Sequence, residues 1–201
     1  MDKNFYNAIT NRRTYYAIGK EKIADEFTIQ KIVENAVNHT PSSFNSQSSR
    51  VVILFNDEHD KLWEIVKSEL KKIVPEDAYE TSRQKIDNCF KAGYGTVLYF
   101  EDTKTVEAMQ AQYPLYSENF PIWSNQSSGM LQYVVWTALE LEGLGASLQH
   151  YNPLIDEIVK KEWNIPSEYK LIAEMPFGKP LNPPDEKEFL PIETRVKVFG
   201  N

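Results

Sequence analysis

Three short segments carry side chains whose types and spacing suit chemistry. The first is Asn11-Arg12-Arg13-Thr14-Tyr15-Tyr16. Two adjacent guanidiniums and a hydroxyl in a turn form a natural phosphate grip, because arginine presents a planar fork of donors and threonine adds a short hydrogen bond. Adjacent arginines on a solvated face are the commoner alternative. The second is Thr40-Pro41-Ser42-Ser43-Phe44-Asn45-Ser46-Gln47-Ser48-Ser49. Its hydroxyls and amides suit a polar heterocycle that offers both donors and acceptors, and they equally suit an ordinary polar loop. The third runs from Gly143 to Pro153 as Gly-Leu-Gly-Ala-Ser-Leu-Gln-His-Tyr-Asn-Pro. Two glycines let a backbone approach a flat ligand closely, and His150 stands where it could face a site. A lone histidine in such a turn is more often structural.

Other chemistries recede. His39, His59 and His150 lack metal-ligand spacing, and there is no His-Glu-x-x-His, no Gly-x-x-x-x-Gly-Lys and no Gly-x-Ser-x-Gly. Gly143-x-Gly145 lacks the third glycine of a dinucleotide fingerprint and follows a helical pattern instead of a strand. Cys89 is the single cysteine, so it has no internal disulfide or redox partner. A net charge of −7 argues against nucleic acid and anionic membranes as partners. No stretch approaches the run of about 20 apolar residues that spans a bilayer, and Met1 to Phe5 lacks the order of a signal peptide, so a cytoplasmic location is expected.

The elements that must position these segments follow from periodicity. Ile29, Ile32, Val33, Ala36 and Val37 share a helical stripe, with Thr28 as the expected N-cap. Residues 50–55 form a short apolar run expected to be a buried strand. Leu62, Trp63, Ile65, Val66 and Leu70 mark a helix that opens after Asp57 and that Pro75 closes. Gly95 to Phe100 reads as a second strand. A central helix is predicted over 126–142, with Gly143 as its left-handed terminus. Short strands over 146–150 and 170–177 flank a helix opening after Asn152-Pro153. Five prolines between Pro176 and Pro191 predict an extended tether, and the alternation of Thr194 to Phe199 predicts a terminal strand able to pair with a second subunit. The helices between 76 and 125 are not placed by pattern. One domain over 1–201, of α+β class, accommodates all of this, with 176–201 as a C-terminal arm.

Taken in order, the segments resemble the flavin-binding pattern of the nitroreductase family, in particular its short branch of fungal and bacterial proteins of the fatty-acid-repression-mutant type. The resemblance spans nearly the whole chain. It rests on Asn11 to Tyr16, Pro41 to Gln47, Gly143 to Pro153, Phe177-Gly178-Lys179-Pro180, and Arg195-Val196-Lys197-Val198-Phe199. The chain departs from the commoner family pattern at Tyr16, where many members have a basic residue, and at Ser48-Ser49, where many have Pro-Trp.

The resemblance implies a mixed sheet wrapped by helices in an intertwined homodimer with FMN at two interface sites. It implies that Arg12, Arg13 and Thr14 bind the FMN phosphate and ribityl chain together with Arg195. Ser42, Ser43, Asn45 and Gln47 would approach the flavin from the partner subunit, with Gln126 and Ser127 at the start of the central helix as further contacts. Gln149, His150 and Tyr151 would lie against the reactive side of the ring, their backbone N–H groups near N5. No acid-base pair is then needed: NADH or NADPH delivers hydride to the flavin, which passes it in a ping-pong cycle to a nitroaromatic, quinone or similar flat electrophile. The alternatives are a flavin-binding regulatory or stress-response protein with incidental reductase activity, and a flavin-free interaction domain.

Overall fold

A computed structural model describes residues 5–200; residues 1–4, where a leader would begin, and residue 201 lie outside the described residues. The chain opens with α1 (Phe5–Asn11) and the two-residue β1 (Ile18–Gly19). Next come α2 (Glu26–His39), a 3-10 turn (Ser43–Asn45), β2 (Ser49–Phe55), α3 (Asn56–Ile73) and α4 (Glu76–Lys85). A π turn (Ile86–Phe90) leads into β3 (Gly95–Asp102) and α5 (Thr103–Gln112). Then follow a 3-10 turn (Pro114–Tyr116), the long α6 (Phe120–Leu141), β4 (Gly145–Ala146), α7 (Asp156–Glu162) and β5 (Tyr169–Pro180).

The sheet runs β1-β5-β3-β2, with β4 also pairing to β5, and every named pair is antiparallel. The expected mixed sheet is thus antiparallel in all its named pairs; among the described residues one parallel bridge, from Thr14 to Ala146, lies outside them. β3 is buried along its whole length, which explains why Gly95 to Phe100 reads as an unbroken apolar run. Its side chains divide between two cores. Val97 and Tyr99 join Ala173, Met175, the α2 stripe Ile29, Val33 and Ala36, and α6 residues Leu131, Val135 and Leu139. Leu98 and Phe100 join Leu171, Leu62, Trp63 and Val66 of α3, Ile86 and Phe90 of the π turn, and Val159 of α7. Helices thus cover both faces of one sheet, an α+β arrangement. Among the described residues no helix is long and apolar enough to cross a membrane.

Several boundaries move. Asp25, not Thr28, caps α2: its carboxylate accepts the Thr28 N–H at 2.8 Å, so the helix starts one turn earlier than its apolar stripe. α3 starts directly from the strand residue Phe55, which leaves Asp57 inside the first turn, where its charge complements the helix dipole. α6 opens at Phe120 with Pro121 in its first turn, six residues ahead of the predicted start, so Gln126 and Ser127 sit in its second turn. The strand predicted over 146–150 shrinks to Gly145–Ala146 plus one bridge between Gln149 and Glu174. Gly143 does take the left-handed terminal conformation, at φ 82. The terminal strand does not form in the single chain. Ile192–Thr194 is a 3-10 turn, and Val196, Val198 and Phe199 are exposed, because alternation makes a strand only where an edge is present to pair with it.

Candidate functional site

Arg12 leaves the last turn of α1, its N–H bonded to the Ala8 carbonyl at 2.9 Å. This exit turns the guanidinium onto α6, 4.4 Å over the Trp136 ring and 5.8 Å from the Tyr133 ring, two aromatics three residues apart on one helical face. Its Nε is buried without a hydrogen-bond partner among the described residues. Arg13 points away from it and donates through Nη2 to the carbonyl of Asp185 in the proline-rich arm. Thr14 is exposed and bridges Ala146, while the Tyr15 N–H donates to the Ala146 carbonyl at 3.0 Å. The first and third sequence segments are therefore adjacent. The space at Gly145 is used by protein: a Cβ there would sit 2.8 Å from the Tyr15 side chain, so this glycine serves close packing and not ligand approach.

A cleft of about 600 Å³ opens between α2, α6 and the β2 face that carries Ser49, Val51, Ile53 and Phe55. It brings together Ser42, Gln47 and Ser127, and adds Gln30, Glu34 and Asn38 of α2 and Arg50 of β2. Ser43, Asn45 and Gln126 are not among its lining residues, nor are Arg12, Arg13, Gln149, His150 and Tyr151. Within one chain the arginine segment and the polar loop thus lie apart. The loop itself is closed by Ser42, whose Oγ accepts the Gln47 N–H at 2.9 Å.

The turn after β4 is more internally committed than expected. The Gln149 N–H donates to the Glu174 carbonyl at 2.7 Å, and the Tyr151 N–H donates to Glu174 Oε2 at 2.9 Å, so neither is free for a ring nitrogen. The Tyr151 ring packs edge-on to Trp63 at 5.9 Å and Phe90 at 6.4 Å, and burial pushes its phenol up to about 12. Tyr151 is half-buried against this core and Gln149 is half-buried as well, while His150 is exposed. Arg195 lies exposed at the end of the last 3-10 turn.

Two features escaped sequence reasoning. Phe44 packs against Tyr113, Phe120 and Tyr116 in tilted geometry at 4.6, 5.5 and 5.9 Å and stacks on Trp123 at 6.2 Å, forming an aromatic wall with residues from the stretch that pattern did not place. Two glutamates, Glu101 and Glu174, lie buried in central strands. The available signal was an acid closing an apolar run, in Val-Leu-Tyr-Phe-Glu and in Leu-Ile-Ala-Glu.

Comparison with known proteins agrees with this layout. The model of the nitroreductase family matches residues 9–179. The putative nitroreductase HBN1 of Saccharomyces cerevisiae is 34% identical over 199 residues, covering 98% of this chain and 97% of that protein. Among solved structures, nitroreductase CinD from Lactococcus lactis in complex with nicotinic acid superposes with a TM-score of 0.90 at 47% identity, covering 98% of this chain and 100% of that one. The same protein in complex with 4-nitrophenol superposes at 0.88 and 45% identity, with the same coverage. A nitroreductase with bound FMN from Desulfitobacterium hafniense, 16% identical, shares the fold at a TM-score of 0.72 and covers both chains fully. A family match over most of the chain, a relative at one-third identity along its whole length and the shared two-faced sheet lead to one conclusion: the chain belongs to the nitroreductase family of oxidoreductases.

Proposed function

We propose that the chain is an FMN-dependent NAD(P)H oxidoreductase that works as a homodimer and reduces flat electrophiles such as nitroaromatics and quinones. Arg12 carries this reading: a guanidinium stacked on Trp136 whose buried Nε has no acceptor among the described residues. A buried donor left without an acceptor costs stability, and a phosphate oxygen satisfies it with charge as well as geometry. The residues present fit FMN. Arg12, Arg13, Thr14 and Arg195 would hold its phosphate and ribityl chain, and Ser42, Ser43, Asn45 and Gln47 would reach the ring system from the partner subunit, with Gln126 and Ser127 beside them. The turn at Gln149 and His150 would back the ring.

When bound, FMN supplies the two-electron chemistry, accepting hydride from NADH or NADPH and passing it to the acceptor. The protein's part is to bind and orient. Loop hydroxyls and amides would donate to the pyrimidine side of the ring, where the reduced flavin carries negative charge. The aromatic wall around Phe44 offers stacking area to flat substrates. The FMN of the Desulfitobacterium hafniense protein supports the cofactor, and the nicotinic acid and 4-nitrophenol bound to CinD support a pyridine-bearing donor and an aromatic acceptor.

The dimer is supported by surface that one chain leaves uncovered. α6 turns Met130, Tyr133 and Val134 outward at 42%, 38% and 40% exposure, and the arm exposes Val196, Val198 and Phe199. β2 ends the sheet, paired only with β3 among the described residues. The arm of a second copy, added as a strand on that edge, would cover both.

The test is a visible absorption spectrum of the purified protein, followed by stopped-flow reduction with NADH and NADPH and reoxidation by 4-nitrophenol and a quinone. A flavin band, reduction and reoxidation at about 1 per second or faster are expected, within the ordinary range of enzyme turnover. A protein that stays colourless after FMN supplementation sinks the proposal, and reoxidation far below that rate by every acceptor favours the regulatory role.

A further inference from the structure

The loop that closes the cleft is held in an unfavourable conformation. Phe44, Asn45 and Gln47 adopt φ values of 54, 53 and 50, the left-handed region, and none is glycine. Side chains disfavour this region, and three such residues within four positions persist only where their surroundings over-determine them. At one end the aromatic wall grips Phe44. At the other end stands Glu101, on β3 directly opposite Ser49 and only 3% exposed. Its two carboxylate oxygens are used in parallel: Oε2 accepts from Ser48 Oγ and Oε1 from Ser49 Oγ, each at 2.6 Å. Arg50 completes the anchor. It donates through Nη1 to the Gln47 carbonyl at 2.6 Å and through Nη2 to Asp102 at 2.9 Å, and its Nε donates to the Tyr169 hydroxyl at 3.1 Å.

We propose that Glu101 is a positioning residue of the cofactor site: by accepting from Ser48 and Ser49 it fixes the left-handed loop that presents Ser42, Asn45 and Gln47. This rests on the FMN reading above and adds to it a residue that touches neither cofactor nor substrate. Burying a carboxylate is expensive, and an apolar side chain would serve the strand alone better. What the acid provides is two short, charge-assisted bonds of fixed direction, which determine where the chain emerges from the loop. The Ser48-Ser49 pair, a departure from the commoner family pattern, and Glu101 are then one device, an acid and its two hydroxyl donors.

The experiment compares wild type, Glu101→Ala, Glu101→Gln and Leu62→Ala, the last a control in the core on the opposite face of the sheet. Three quantities are measured: FMN affinity by flavin fluorescence, the visible circular dichroism of bound FMN, and thermal unfolding of the FMN-free chain. Glu101→Ala should weaken FMN by about tenfold or more, since one bond to a charged group is worth on the order of a factor of ten, and should alter the visible dichroism. Glu101→Gln should stay near wild type, because its amide accepts from one serine and donates to the other. Leu62→Ala should lower the unfolding temperature and leave affinity and dichroism unchanged. If Glu101→Ala behaves like Leu62→Ala, the role is only structural and the proposal is overturned. Should Glu101→Ala not fold, Ser48→Ala and Ser49→Ala each remove one donor and are read in the same way. A wild-type chain that takes up no FMN overturns the flavin reading itself, whereas normal uptake with wild-type affinity and dichroism in Glu101→Ala overturns the assignment of Glu101 alone.

Discussion

Replacing Glu174 with Gln should change how stability depends on pH. Glu174 is fully buried on β5; its Oε2 accepts the Tyr151 N–H, and its Oε1 has no partner among the described residues. Asn152 Oδ1 and Asp156 Oδ1 are buried and unpartnered as well, so this corner of the fold holds acceptors in excess of donors. Burial, with Asp156 adding repulsion and the Tyr151 N–H opposing, pushes the Glu174 carboxyl up to about 8 from 4.5. Between those values the folded chain keeps a proton that the unfolded chain has lost, so stability falls as pH rises, by about 1.4 kcal/mol per pH unit. His59 works in the opposite sense. Burial lowers it from 6.5 to about 4, so between those values the unfolded chain holds the extra proton and stability rises with pH. The two slopes oppose one another between pH 4.5 and 6.5, and from there to pH 8 the Glu174 slope is no longer offset by His59. Over that window wild type should lose roughly 2 kcal/mol. Glu174→Gln keeps an acceptor for Tyr151, supplies an N–H donor and removes the titration, so its stability should stay level. Urea unfolding followed by tryptophan fluorescence, at pH 6.5, 7.25 and 8 and one chain concentration, reads the difference. Parallel pH profiles for the two proteins would refute a neutral Glu174 in the folded state.

Three other perturbations test separate parts of the reading. Arg12→Ala combined with Arg195→Ala should weaken FMN by several kcal/mol, at about 1.5 to 3 kcal/mol for each charge-assisted bond; unchanged affinity in a fluorescence titration counts against both phosphate contacts. A chain ending at Pro191 should dissociate to monomers at concentrations where the full chain is dimeric, and an undisturbed dimer in sedimentation velocity would remove the arm from the interface. Gly178→Ala should lower thermal stability by about 1 to 3 kcal/mol, because its Cβ would lie 2.5 Å from the Gly19 carbonyl and 3.1 Å from the Tyr94 amide, backbone atoms that do not yield cheaply. A melting temperature equal to wild type would contradict that packing.

What was legible in the chain is what depends on nearest neighbours. The stripe of Ile29, Val33 and Ala36, the run from Gly95 to Phe100 and the left-handed Gly143 each report local geometry, and each stands where its pattern puts it. Boundaries moved where one side chain competed with the pattern, as when Asp25 captured the Thr28 N–H. Alternation in Thr194 to Phe199 describes a strand without its partner edge, information that no single chain contains. His150 and Tyr151 are neighbours that the turn sends in opposite directions, His150 to solvent and Tyr151 against the core beside Trp63, a split that spacing along the chain does not reveal. The wall of Tyr113, Tyr116, Phe120 and Trp123 is built from two helices and a 3-10 turn around Pro114 and Pro121, and no single period runs through it.

The two buried glutamates point to a division of labour between sheet and loops. β3 and β5 are adjacent, buried and held by the longest ladder in the fold, so a side chain fixed to either strand has little freedom. Each strand spends one such position on a glutamate, and each glutamate accepts from a different candidate site segment: Glu101 from Ser48 and Ser49, Glu174 from the Tyr151 N–H. Neither choice follows from stability, since an apolar residue at either position would avoid the desolvation cost of a carboxyl group. Loops that must present donors within a few tenths of an ångström to a ligand need anchors with direction, which apolar packing does not supply. A carboxyl group on a rigid strand does, and it does so from roughly fifty residues away in sequence at Ser48 and Ser49 and about twenty at Tyr151, which is why the loops were readable as polar segments and their anchors were not.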